Sequence, residues 1–146
     1  MTWTHHVKRF FTHSSTNLLN CSLFNAQSVA NKLLELQYIM YNSDYDCIFI
    51  TESWLHDGIH DGAVDPRGLY TVIRKDRVGA RGGGVCILVR RKYKVLPMMF
   101  DNEYIDLEIA GVTFLDFYPK VDVFTVYRPP RWDSDAKQCS WLSIVL

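Results

Sequence analysis

Apolar residues follow two rhythms along this chain, one helical and one strand-like. In "NAQSVANKLLELQYIMYNS" (25–43), Val29, Leu33, Leu36 and Met40 recur at spacings of four, three and four, on one helical face. Ser28 stands where an N-cap belongs, and the Asn42-Ser43-Asp44 cluster ends the helix. On either side lie "NLLNCSLF" (17–24) and the run Cys47 to Ile50, short apolar segments of strand length. Strand, helix and strand in this order close as a right-handed crossover, which makes the two strands parallel and buries them under the helix.

After Thr51 the rhythm shortens. "LYTVIR" (69–74), "GVCILVRR" (84–91), "EYIDLEIAG" (103–111) and "VDVFTVY" (121–127) read as strands separated by turn signals. Tyr104, Asp106 and Glu108 alternate with Ile105, Leu107 and Ile109, a half-buried antiparallel pattern. Val121 to Tyr127 is more uniformly apolar, as in a central strand, and Pro129-Pro130 ends it. One βαβ unit followed by a run of β segments indicates a sheet-rich α/β sandwich. Residues 17–146 are read as one domain, and residues 1–16 as a poorly ordered leader with no clean period.

Composition narrows the class without naming a partner. The 146 residues are 48% hydrophobic and carry zero formal charge, which excludes a disordered or fibrous chain. No apolar stretch approaches the ~18 residues of a membrane span, and "MTWTHHVKRFF" lacks the apolar core of a signal peptide. An intracellular chain, nuclear or cytoplasmic and without membrane attachment, is the expectation. Cys21, Cys47, Cys86 and Cys139 form no C-x-x-C pair, so buried free thiols are expected rather than disulfides or zinc ligands.

Charge is unevenly distributed. Between Arg67 and Lys94 there are nine basic residues and one acid, so this span carries +8 and the remainder −8. Such a span suits a nucleic-acid backbone, with Arg74, Arg77 and Arg81 as phosphate contacts; it equally suits edge strands kept soluble by Lys and Arg. "RGGGV" (81–85) lacks the Gly-Lys-Ser/Thr of a phosphate loop and precedes a strand, so a tight turn or bulge is expected. His56 and His60 in "HDGIHDG" are four apart, but the intervening glycines disfavour a helical zinc site. Three polar residues stand at the ends of apolar strands: Asn25, Glu52 and Tyr127. In sheets of this kind ligands gather beyond the carboxyl ends of strands, where Asn25 and Glu52 lie.

Taken together, "FNAQSVANKLLEL", "DCIFITESWL", "RKDR" with "RGGGVCILVRR", and "VYRPP" resemble, in order and rough spacing, the endonuclease domains of non-LTR retrotransposons. These apurinic/apyrimidinic-like domains belong to the endonuclease/exonuclease/phosphatase superfamily. The resemblance covers about residues 18 to 130 and implies a four-layer α/β sandwich, two packed β-sheets flanked by helices, with a metal-dependent phosphodiesterase site at one rim. By motif, Glu52 in "TESW" resembles the glutamate that binds Mg²⁺ (or Mn²⁺). Asn25 in "FNAQS" resembles the asparagine that organises metal and phosphate, and Tyr127 in "YRPP" the tyrosine that contacts the scissile phosphate. DNA is the implied partner through the basic span 67–94, with a reverse transcriptase domain in the complete family protein.

The match departs from the family at several points. Gln27 stands where Arg is common and Ser53 where Thr is frequent. More important, the family continues to a Gly-Asp-Phe-Asn strand and a Ser-Asp-His segment, and these residues contain neither; no histidine follows His60. The expectation is therefore a partial sandwich lacking its carboxyl-terminal half, inactive alone, since one missing acid/base group typically costs ~10²- to 10⁴-fold. "RWDSDAKQCSWLSIVL" either begins the next helix, with Ser134 as cap, or is unrelated sequence. The alternatives to a nuclease fragment are a non-enzymatic nucleic-acid or protein interaction module and a genomic remnant without selected function.

Overall fold

The computed structural model describes residues 4–11, 18–101, 107–128 and 139–145, with side chains described for 19–101 and 107–128. Its elements run β1 (Thr4–Phe11), β2 (Leu18–Asn25), α1 (Leu33–Asn42), β3 (Cys47–Thr51), α2 (Asp61–Val64), β4 (Tyr70–Lys75), β5 (Val85–Arg90), β6 (Val95–Pro97), β7 (Glu108–Phe114), β8 (Val121–Arg128) and β9 (Cys139–Val145). They build two sheets, one ordered β1-β2-β3-β5-β4 and one ordered β6-β7-β8-β9.

The apolar runs of β3 and β5 have no polar alternation because both faces are covered. On the inner face of the first sheet, Leu23, Cys47, Phe49, Val85 and Ile87 pack against Ala110, Val112, Phe114 and Val123 of the second. On the outer face, Phe24, Ile48, Ile50, Cys86 and Leu88 pack under Val29, Leu36, Met40 and Val64. The order is thus helices, sheet, sheet, a partial α/β sandwich. As the crossover rule requires, β2 and β3 are parallel, and Asn25 pairs with Thr51 at their carboxyl ends.

Four expectations change. Residues 4–11, read as part of a loose leader, form β1, which satisfies the otherwise unpaired backbone edge of β2. The helix starts at Leu33 rather than near Ser28, with Lys32 at the N-cap position and no side-chain cap bond. Ser28 instead sits in a buried loop at φ 88°, outside helical space. In β7 the alternation is reversed: Glu108 is buried and Ile109 only half-buried, because Glu108 finds partners in the interior. Residues 102–106, the front of that expected strand, lie outside the described residues. In the tail, Cys139–Val145 pairs with β8 as a strand, not a helix, while Ser134 lies outside the described residues.

Cys21, Cys47 and Cys86 are free and buried, as expected; the side chain of Cys139 lies outside the described ones. Burial pushes the Cys86 thiol up to about 12 and Cys47 well above the ordinary thiol value, so both stay protonated. Among the described residues no helix is long and apolar enough to cross a membrane.

Phe49 and Phe114 are the largest fully buried side chains of the core between the sheets. Phe49→Ala is expected to cost about 3–5 kcal/mol, read as a lower urea midpoint at an unchanged slope. A loss below about 1 kcal/mol would contradict this packing.

Candidate functional site

The strand ends collect at one rim. Past Asn25 the chain turns at Gln27 (φ 44°) and Ser28 (φ 88°), and past Thr51 it turns at Glu52 (φ 51°) and Trp54 (φ 54°), all in the left-handed region that non-glycine residues avoid. Backbone bonds hold these turns together. Ser28 N–H donates to the Glu52 carbonyl at 2.9 Å and Val29 N–H to the Ser53 carbonyl at 2.8 Å. Ser53 N–H donates to Gly84 at 3.1 Å and Trp54 N–H to Gly83 at 2.8 Å.

The "RGGGV" glycines make this approach feasible. Gly83 and Gly84 lie at φ 66° and φ 80°; a Cβ on Gly84 would stand 2.8 Å from Ser53 Oγ, and one on Gly83 would overlap the Arg77 guanidinium. The segment is a tight turn, as expected, serving close backbone packing beside Glu52.

Two sequence candidates meet directly. Tyr127, at the end of β8, donates its hydroxyl proton to Glu52 Oε1 at 2.6 Å, joining the two sheets across the buried rim. Glu52 is 8% exposed and Tyr127 3%. Asn25 stands one strand over, opposite Thr51, and its Oδ1 is buried with no hydrogen-bond partner. An orphaned amide oxygen at the end of β2 and a carboxylate one residue past the end of the neighbouring β3 are hard oxygen donors, of the kind a divalent cation takes. Among the described residues no group of three or more His, Cys, Asp or Glu is gathered as in a closed metal cage.

Glu108 was missed by the alternation argument. It lies opposite Tyr127 in the β7–β8 register, accepts the Gly84 N–H at 2.6 Å and pairs with Arg77 Nε. The available signal was a carboxylate preceding the apolar alternation Ala110, Val112, Phe114, which would have placed Glu108 on the core side.

The three arginines have different surroundings. Arg74 is braced internally: it pairs with Asp76 and Asp61 and donates to the Ile59 and His56 carbonyls at 2.7 and 2.8 Å. Hydrogen bonding to Asp76 raises its pKa further, so it remains charged while its donors face protein acceptors. Arg77 faces Glu108, with its side chain 23% exposed. Arg81 is exposed, lies 5.3 Å over the Trp54 ring and forms no ion pair among the described residues.

The chain belongs to the Endonuclease/Exonuclease/phosphatase family, whose model matches residues 16–144. That places it in a superfamily of phosphodiesterases and nucleases; the match is to the family as a whole. No curated protein and no solved structure matches the chain.

Removing Glu108 would leave Arg77 and the Gly84 N–H without their acceptor. Glu108→Ala is expected to cost about 2 kcal/mol, below the value for a fully buried pair because Arg77 is partly exposed. Glu108→Gln keeps an acceptor and should lose about half as much. Denaturant unfolding checks both, and equal stability of all three proteins would show that the Glu108 contacts do not hold the loop.

Proposed function

We propose that these residues form the metal-binding wall of a retrotransposon-type DNA endonuclease site. Glu52 and Asn25 would hold Mg²⁺ or Mn²⁺, and Tyr127 would contact the scissile phosphate. The observation that carries the reading is the Tyr127–Glu52 hydrogen bond, formed by residues 75 positions apart, with the orphaned Asn25 Oδ1 at the neighbouring strand end. When bound, such an ion supplies neutralising charge at the phosphoryl oxygens and the leaving group.

The protein groups have separate tasks. Tyr127 has one hydroxyl proton, donated to Glu52 in this structure. A phosphate oxygen accepts but cannot donate, so contact with substrate requires that proton to turn from the carboxylate to the phosphate. Asn25 offers its Oδ1 to the cation and orients it from the neighbouring strand end. A phosphate beside the scissile position would be held through Arg81, with Arg77 and Arg74 bracing the loop that carries it. The association should be weak and salt-sensitive.

Neither a Gly-Asp-Phe-Asn strand nor a histidine after His60 occurs in the 146 residues. The groups that resemblance assigns to orient and deprotonate the attacking water are therefore not among them, and we assign these residues no turnover alone.

Two measurements test the reading. Mn²⁺ should raise the melting temperature of the chain and should not raise that of Glu52→Gln, because a ligand that binds the folded state stabilises it by mass action. Supercoiled plasmid with Mg²⁺ should stay intact in its presence. A Mn²⁺ shift retained in Glu52→Gln would remove Glu52 as ligand, and nicking abolished by Glu52→Ala would overturn the assignment of no turnover.

A further inference from the structure

At β4, the last strand of the first sheet, an open backbone edge and an apolar groove occur together. In a central antiparallel strand the backbone groups of successive residues face alternate neighbours. Arg90 N–H donates to the Asp46 carbonyl at 2.9 Å, toward the β3 side, so Val89, Ile87 and Val85 turn their groups to β4, where they meet Thr71, Ile73 and Lys75. The groups of Tyr70, Val72 and Arg74 therefore face outward. Those of Tyr70 are taken: its N–H donates to Asp65 Oδ2 at 2.7 Å and its carbonyl accepts Arg91 Nε at 3.1 Å. The N–H and C=O of Val72 and Arg74 have no partner among the described residues, and both residues are only half-buried.

Beneath this edge the sheets part in a groove of about 330 Å³, lined by Ile73, Lys75, Met98, Met99, Phe100 and Ile109 among others. Ile73 packs against the core between the sheets, and Val72 against the layer under the helices. Gly111 shapes the floor. A Cβ there would stand 2.8 Å from Met98 Sδ and 3.0 Å from Phe100 Cζ, so its absence lets both side chains lie across β7. Met99 is 93% exposed at the groove, and unbranched thioethers adapt to varied apolar shapes.

An occupant has to match both features. A small apolar molecule or a helix would fill the groove and leave the Val72 and Arg74 groups unpaired. An extended chain pairs with them and sends alternate side chains toward the groove. Charge then selects among extended chains. The Arg74 side chain is turned to Asp61 and Asp76 and does not guard the edge, whereas Lys75 is exposed, in the same row as Ile73, and forms no ion pair among the described residues. A second copy of β4, Tyr70–Lys75, brings two basic residues and no acid to such a pairing. We propose that the β4 edge and this groove dock an extended segment of a partner protein, added as a further strand, with a large apolar residue opposite Ile73 and an acidic residue opposite Lys75. The proposal is independent of metal or nucleic acid at Glu52.

The test uses the full 146-residue chain and a fluorescein-labelled peptide, Thr-Thr-Glu-Thr-Leu-Thr-Glu-Thr-Thr, whose pattern reads the same in either strand direction. Its anisotropy should rise saturably at low salt, and amide exchange followed by NMR should slow at Val72 and Arg74. N-methylation of the leucine and its two neighbours should abolish binding, because it removes the donors of the added strand. Serine in place of the leucine should weaken binding on the order of 10-fold. Lys75→Glu should weaken binding about 3-fold, and should strengthen by a similar factor the binding of a peptide carrying lysine in place of both glutamates. Lys75 is exposed, and circular dichroism melts establish that the variant is folded.

Absence of peptide binding, or binding that N-methylation and Lys75→Glu leave unchanged, would overturn the docking site. Slowed exchange at Val72 and Arg74 in the chain alone, growing with its concentration, would assign the edge to a second copy and overturn the partner segment.

Discussion

The residues from Glu52 to Trp54 must leave β3 between two other loops, and the rest of the rim depends on how that passage is made. Their backbone is bonded on one side to Ser28 and Val29 and on the other to Gly83 and Gly84. Glu52 and Trp54 accept left-handed φ values to make those bonds, at a cost of about 1 kcal/mol or more each for a residue with a Cβ. Three short connections thereby become one laminate. This geometry directs Glu52 to Tyr127 while Trp54 stays against Gly82 and Arg81.

Between the sheets, two kinds of contact divide the work. The apolar layer around Phe49, Ile87, Val112 and Phe114 supplies attraction without direction. Polar links at the rim, Tyr127 to Glu52 and Glu108 to Gly84 and Arg77, supply direction. In a low-dielectric setting such bonds strengthen when fully made and are costly when broken, so they fix how the sheets sit along their common edge. The same edge carries Asn25, and the orphaned oxygen there is a local departure from that satisfaction. Departures of this kind concentrate where a ligand completes the set.

What could be read in the residues follows from the range of the forces involved. The strands β2, β3, β4, β5 and β8 were legible because apolar runs and turn signals are local, and the βαβ crossover follows a handedness rule that needs no knowledge of distant partners. The α1 face was legible, but its start was not: Ser28 has the chemistry of a cap, yet its backbone is committed to Glu52. Strands β1 and β9 depend on edges offered by β2 and β8, which no local pattern reveals. Glu108 was assigned to the wrong face because alternation treats a carboxylate as solvated, while Arg77 and Gly84, 31 and 24 residues earlier, give it interior partners. Glu52, Asn25 and Tyr127 were recognisable as strand-end residues, and by motif as a set; the hydrogen bond between two of them required the sandwich.

The basic span shows why formal charge is a poor guide to where an anion would sit. Its +8 is distributed among very different environments. Asp61 and Asp76 offset Arg74, Glu108 offsets Arg77, and Asp46 offsets Lys92 at 2.6 Å. Arg90 donates to the Ser43 and Tyr45 carbonyls, tying the end of β5 to the loop after α1, and Arg91 donates to Tyr70. These bonds leave the charges in place but fix the side chains in structural roles. Arg67 and Arg81 differ in being exposed, lying 4.3 Å over the Tyr41 ring and 5.3 Å over the Trp54 ring, with no ion pair among the described residues. A cation whose donors already face protein acceptors contributes mainly to holding the fold, whereas an exposed one interacts with solvent and ions and is strongly screened. Within this span Arg81 stands over Trp54 beside the Glu52 turn and Arg67 over Tyr41, so the charge asymmetry is read through each side chain's surroundings rather than through the count.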